Sequence, residues 1–162
     1  PVSDVEILHE LGVTDFGENR SAEGLEKSSL IHAHWHFQGQ IQSNKIAAIS
    51  SWAQTVHSLD DLSHVVKFDR AVGEISGKRL RVFIQLSLDG DASRAGVSGD
   101  ELMTLGQAVI SSKHLDLAAL ENVVAGTLGA RTHHTFDLHA VFVTDLFGHL
   151  VNQFLAHDAR IV

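Results

Sequence analysis

Three histidines alternate along one short stretch, at His32, His34 and His36. In a strand that spacing sends all three side chains to one side, where imidazoles could hold Zn or Ni. The competing reading leaves His32 and His34 in a loop before a strand at 35–37, and no metal site is assigned there. His133, His134 and His139 lack the i, i+4 spacing of a helical metal motif. Glu18 and Asp60 are carboxylates whose separation the sequence leaves open, so no hydrolytic role is assigned to them. Gln85 and Ser87 are polar residues alternating with aliphatic ones. They either face a ligand or satisfy backbone groups. The chain has no Cys, so it offers no disulfide framework, no Cys-ligated zinc and no thiol nucleophile. Its 20 acidic against 12 basic residues argue against nucleic-acid binding, which needs clustered Lys and Arg.

The elements that must position these residues alternate in type. Residues 13–16 read as a strand entering a turn at 17–19, and 21–31 as a helix. Residues 35–37 and 55–57 read as strands, with a helix at 44–53 between them carrying Ile46, Ile49 and Ala53 on one face. Ser58 and Asp61 have capping-box spacing for a helix placing Leu62, Val65, Phe68, Val72 and Ile75 on one stripe, ended at Gly77. Residues 80–88 form the clearest strand. Leu80, Val82, Ile84, Leu86 and Leu88 share one face, and Arg81, Phe83, Gln85 and Ser87 the other. Ser98 and Glu101 form a second capping box, before Leu102, Leu105 and Val109. Residues 138–143 fit a strand, and Thr144 a cap for a helix with Leu146, Leu150 and Phe154. Strands alternating with helices imply βαβ units and a parallel sheet. At 162 residues with 44% hydrophobic composition, the chain is long enough for one core-bearing domain. No apolar run approaches the ~20 residues of a membrane span.

The stretch Trp35-His36-Phe37-Gln38-Gly39-Gln40-Ile41-Gln42-Ser43-Asn44-Lys45 resembles the W-H-F-I-G-x-L-Q-x-N-K signature of the pyridoxal phosphate homeostasis proteins, departing at Gln38 and Ile41. Phe16-Gly17-Glu18-Asn19 matches that family's F-G-E-N run, and His57-Ser58-Leu59-Asp60 its H-S-[LV]-D. Phe83-Ile84-Gln85-Leu86-Ser87 resembles its [VL]-[LF]-I-Q-V-N, with Ser87 for Asn. Arg94-Ala95-Gly96 stands where the family tends to have K-x-G. The resemblance covers residues 1–117, leaving 118–162 as a divergent tail or one further βα unit.

The resemblance implies an α/β fold, a partial (β/α)₈ TIM-barrel-like domain of the alanine racemase N-terminal type. This chain would supply strands two to five. It implies pyridoxal 5′-phosphate as cofactor, carried or buffered without established turnover. No signal peptide is visible, so the cytoplasm is the default expectation. Barrel ligands bind at C-terminal strand ends. There Asn19, His36, Gly39, Ser58, Gln85 and Ser87 are the expected cofactor-binding residues. The family's Schiff-base lysine lies in an S-K-[TF] motif just before the segment matching Pro1, and no lysine here sits in such a motif. No catalytic residue is therefore assigned. The family's S-M-G-M-S and R-x-G-x-x-[IL]-F-G phosphate segments have no match after Leu117. A TIM barrel typically takes ~250 residues, so the chain reads as a fragment with impaired cofactor binding, and Pro1 in place of Met fits that reading. Two alternatives stand beside it. One is a cofactor-dependent amino-acid racemase relative, disfavoured by the lack of any Tyr. The other is a His-rich binding or assembly protein without the cofactor. Open sheet edges predict self-association.

Overall fold

The computed structural model describes residues 1–87 and 96–122. Five parallel strands form one sheet in chain order: β1 (Asp15–Glu18), β2 (His34–Phe37), β3 (Thr55–Leu59), β4 (Leu80–Leu86) and β5 (Leu115–Asn122). Helix α1 (Val2–Glu10) precedes β1. Helices α2 (Ser21–Leu30), α3 (Ile46–Trp52), α4 (Leu62–Gly73) and α5 (Gly99–Ile110) fill the four crossovers. Parallel neighbours in strict chain order are the repeat of a barrel wall. The α/β reading therefore holds, with five strands instead of four. Strand β5 crosses the 117/118 boundary drawn from the motifs.

Strand β4 shows how the sequence builds this wall. Leu80, Val82 and Ile84 are completely buried and join the core with Val65, Phe68 and Val72 of α4 and Leu105 and Val109 of α5. Phe83 and Gln85 lie buried on the opposite face of the strand. Phe68 has no exposed surface, and burying such a ring is worth about 1.5–3 kcal/mol. Helix α5 starts as its spacing predicts. The Ser98 hydroxyl accepts from the Glu101 amide, and the Glu101 carboxylate accepts from the Ser98 amide.

Several boundaries move. Strand β1 starts at Asp15 and takes in Gly17 and Glu18, because its pairing with β2 runs from Asp15–His34 to Glu18–Phe37. Ser58 does not cap α4: it belongs to β3, where Leu59 pairs with Ile84. Asp61 is the cap instead, its carboxylate accepting from the Ser63 amide at 2.6 Å. Helix α4 ends at Gly73, and Gly77, at φ 72°, belongs to the turn that follows. Leu62 leaves the apolar stripe and is exposed. The helix expected over 44–53 is a 3₁₀ turn at Ser43–Lys45 followed by α3. Helix α1 was not legible, since it buries no residue. The strand and helix expected beyond residue 137, together with Leu88, Arg94, Ala95, His133, His134 and His139, lie outside the described residues.

Candidate functional site

At the C-terminal ends of the strands the chain approaches itself closely. Gly39 follows β2, and a Cβ placed on it would lie 2.2 Å from the Asn19 carbonyl oxygen. Only glycine lets these two segments meet. The Gln38 amide donates to the Glu18 carbonyl at 2.9 Å, holding the end of β2 against β1. Ser58 sits where the β3–β4 register slips between Val56 and Leu59, with φ 62°. This is a bulge carried by a non-glycine residue in the left-handed region, a strained conformation worth roughly 1–3 kcal/mol.

The segment before α5 returns to this same end. The Val97 amide donates to the Gln85 carbonyl at 2.9 Å, and the Ser87 amide donates to the Val97 carbonyl at 3.0 Å. Gly96, at φ 125°, packs against the Ser87 amide, and its own amide donates to the Asp60 carboxylate at 3.2 Å. Asn19, Gly39, Ser58 and Ser87 are thus brought to one rim, with Gln85 buried just beneath it. The two carboxylates weighed in the sequence are separately engaged. Asp60 holds Gly96, while Glu18 is ion-paired with Lys27 of α2.

His36 is the third of the four residues of β2 and stands between side chains of β1 and β3. His34 is the first residue of β2, not part of a loop, so it lies beside His36 with ring centroids 4.9 Å apart. His32 stays outside the strand. His36 Nε2 lies 3.2 Å from Asp15 Oδ1, and its Nδ1 lies 3.1 Å from His57 Nε2. His34 Nε2 lies 2.9 Å from the Thr55 hydroxyl, and His57 stacks on Phe83 with centroids 4.5 Å apart. Burial pushes the His36 imidazole below its usual range; its neighbours His57 and His34 act in the same direction, against the bond from Asp15. The Asp15 carboxyl is lowered, first by the Thr14 hydroxyl that donates to it and then by His36. Sequence reading missed Asp15 and Thr55. Both are first residues of their strands, and only strand pairing puts them next to histidines.

No lysine of the described residues lies on a strand. Lys27 on α2 is committed to Glu18, and Lys67 on α4 donates to the Ser43 hydroxyl at 2.8 Å. Lys78, lowered by burial, donates to the Ser50 carbonyl. Lys45 and Lys113 are exposed.

Comparison with known proteins agrees with this architecture. The family described as alanine racemase, N-terminal domain, matches residues 2–134. The pyridoxal phosphate homeostasis protein of Mycobacterium leprae is 41% identical over 115 residues, covering 60% of this chain and 45% of the relative. That of Corynebacterium glutamicum is 39% identical over 127 residues, covering 74% and 58%. The chain therefore spans about half the length of these curated relatives. The structure of PipY from Synechococcus elongatus with PLP bound superposes with a TM-score of 0.69 at 25% identity, covering 80% of this chain and 60% of PipY. Alanine racemase of Clostridium difficile shares the fold, with a TM-score of 0.65 at 17% identity over 77% of this chain and 32% of the racemase. With these motifs in order along a five-stranded barrel wall, the chain belongs to the alanine racemase N-terminal domain family.

Proposed function

We propose that this chain forms one wall of a pyridoxal 5′-phosphate site in a cofactor-carrying homeostasis protein, without turnover of its own. The observation that carries the reading is the rim at the C-terminal strand ends, where Gly39, Asn19, Ser58 and Ser87 come together and the Gly96 amide is held by Asp60. Barrel ligands bind at that end. The cofactor supplies an electrophilic aldehyde and a phosphate. Rim backbone and hydroxyl groups suit the polar edge of such a molecule, with Gln85 buried beneath them. The donor set is one-sided. The described lysines are on helices, turns or loops and three already have partners, so none of them is proposed as the amine that holds the aldehyde. The names of the curated relatives support a carrier over a racemase.

Equilibrium dialysis of this chain with the cofactor, followed by borohydride reduction and mass spectrometry, tests the reading. Weak reversible binding is expected, reduced severalfold by Asn19→Ala and Ser87→Ala, with no stoichiometric adduct on Lys27, Lys45, Lys67, Lys78 or Lys113. Binding indifferent to both rim variants, or a stoichiometric adduct on one of these lysines, would overturn it.

A further inference from the structure

Asp15 and His34 are the first residues of β1 and β2, at the opposite end of those strands from the rim, and His36 follows two residues later. His34 is five residues before Gly39, roughly 16 Å of extended chain. Three groups from these two strands converge. Asp15 opens β1, and His34 and His36 share one face of β2. Each offers one ligand atom, and these atoms all lie within 4.8 Å of one another. We propose that Asp15, His34 and His36 bind a divalent transition-metal cation of the zinc class, which clips the outermost described strand to its neighbour.

The chemistry fits that class. Two imidazoles and a carboxylate suit Zn²⁺ and leave one tetrahedral position for water. Mg²⁺ prefers an all-oxygen octahedron and is a poor match. Zinc–ligand bonds of 2.0–2.1 Å put neighbouring tetrahedral donors about 3.3 Å apart. The Asp15–His36 pair already stands at 3.2 Å, so only His34 has to swing in. The supporting contacts are those a metal site needs. The Thr14 hydroxyl donates to the other Asp15 oxygen at 2.6 Å, and His57 meets His36 Nδ1, leaving Nε2 toward Asp15. Thr55 now meets His34 Nε2 and holds the ring at the cluster.

The position also gives the metal a task. Strand β1 has four residues, none buried, and pairs only with β2 in the described sheet. Function in barrels concentrates at the C-terminal face, and the opposite face serves stability. A metal here is structural, and binding the folded state alone raises stability by mass action.

Zinc titration of the chain by calorimetry, with thermal unfolding followed in parallel, tests this. One Zn²⁺ per chain is expected, raising the unfolding midpoint by a few °C, with no rise in Mg²⁺. Asp15→Asn and His34→Gln should each weaken binding about tenfold or more and abolish the rise. His32→Gln, and glutamine at His133, His134 and His139, should leave both unchanged. Asp15 is exposed, so Asp15→Asn keeps the test valid if a histidine variant misfolds by circular dichroism. Zinc affinity unchanged in Asp15→Asn, binding lost with the three downstream histidines, or binding without a rise in the midpoint would overturn the proposal.

Discussion

The two ends of this sheet are held by different means. At the N-terminal ends side chains do the joining. Asp15 meets His36 across β1 and β2, and Arg79 forks onto Asp116 at the start of β5. Arg79 also donates to the backbone carbonyls of Lys113 and Leu115. At the C-terminal ends the backbone does the joining. Gly39 abuts the Asn19 carbonyl, Ser58 adopts a left-handed bulge, and Gly96 packs on the Ser87 amide. A side-chain contact tolerates exchange, because long groups can move and water can replace them. A glycine whose added Cβ would fall 2.2 Å from a carbonyl oxygen does not. The difference teaches where this wall stores strain and close approach: at the C-terminal ends of its strands.

The largest test of that contrast is Gly39→Val. A branched side chain driven into the Asn19 carbonyl should cost about 3 kcal/mol or more, read as a lower urea midpoint. A smaller effect would mean the rim yields as easily as the opposite end. Next comes Ser58. Ser58→Val should destabilise by about 1–3 kcal/mol, and Ser58→Gly should be neutral or stabilising by up to ~1 kcal/mol, because glycine accepts φ 62°. If both variants lose stability, the Ser58 hydroxyl matters more than its backbone. Asp61→Ala removes the true cap of α4 and should cost about 1 kcal/mol, whereas Ser58→Ala should not show a capping loss.

The smallest expected effect is at the side-chain end. The Arg79 guanidinium holds the Asp116 carboxyl below its usual range. A carboxyl lowered in the folded state stabilises above its unfolded value near 3.8 and loses that contribution as pH falls through the folded value. Both side chains are about half exposed, so solvent and salt screen the pair. Asp116→Asn should therefore lower stability by well under 1 kcal/mol at neutral pH. The gap to wild type should close in acid and shrink in high salt. A deficit unchanged down to pH 2 would show that Arg79 acts through its carbonyl contacts instead.

The wall itself was legible. The alternation of Leu80, Val82 and Ile84 against Phe83 and Gln85 predicts a strand with two different faces, and β4 has them. Ser98 and Glu101 mark the start of α5 correctly, because that cap is written within four residues. The same spacing at Ser58 and Asp61, with Asp in place of Glu, failed. There the competing pairing of Leu59 with Ile84 kept the chain extended through Ser58 and moved the cap onward. Helix α1 was missed for the converse reason: it packs at the margin of the core without burying a residue, so no periodicity marks it.

The sequence by itself determined the repeat, the family and the chemistry present. Periodicity sorts side chains between the faces of a strand, and the motifs Phe16-Gly17-Glu18-Asn19 and Trp35-His36-Phe37 are local. Tertiary structure alone decided which chemistry meets. It joined Asp15 to His34 and His36 across two strands. It also showed that the rim is made by backbone. The physical reason is that register between strands, and the approach of Gly39 to Asn19, depend on pairings between segments far apart in the chain, which no local pattern encodes.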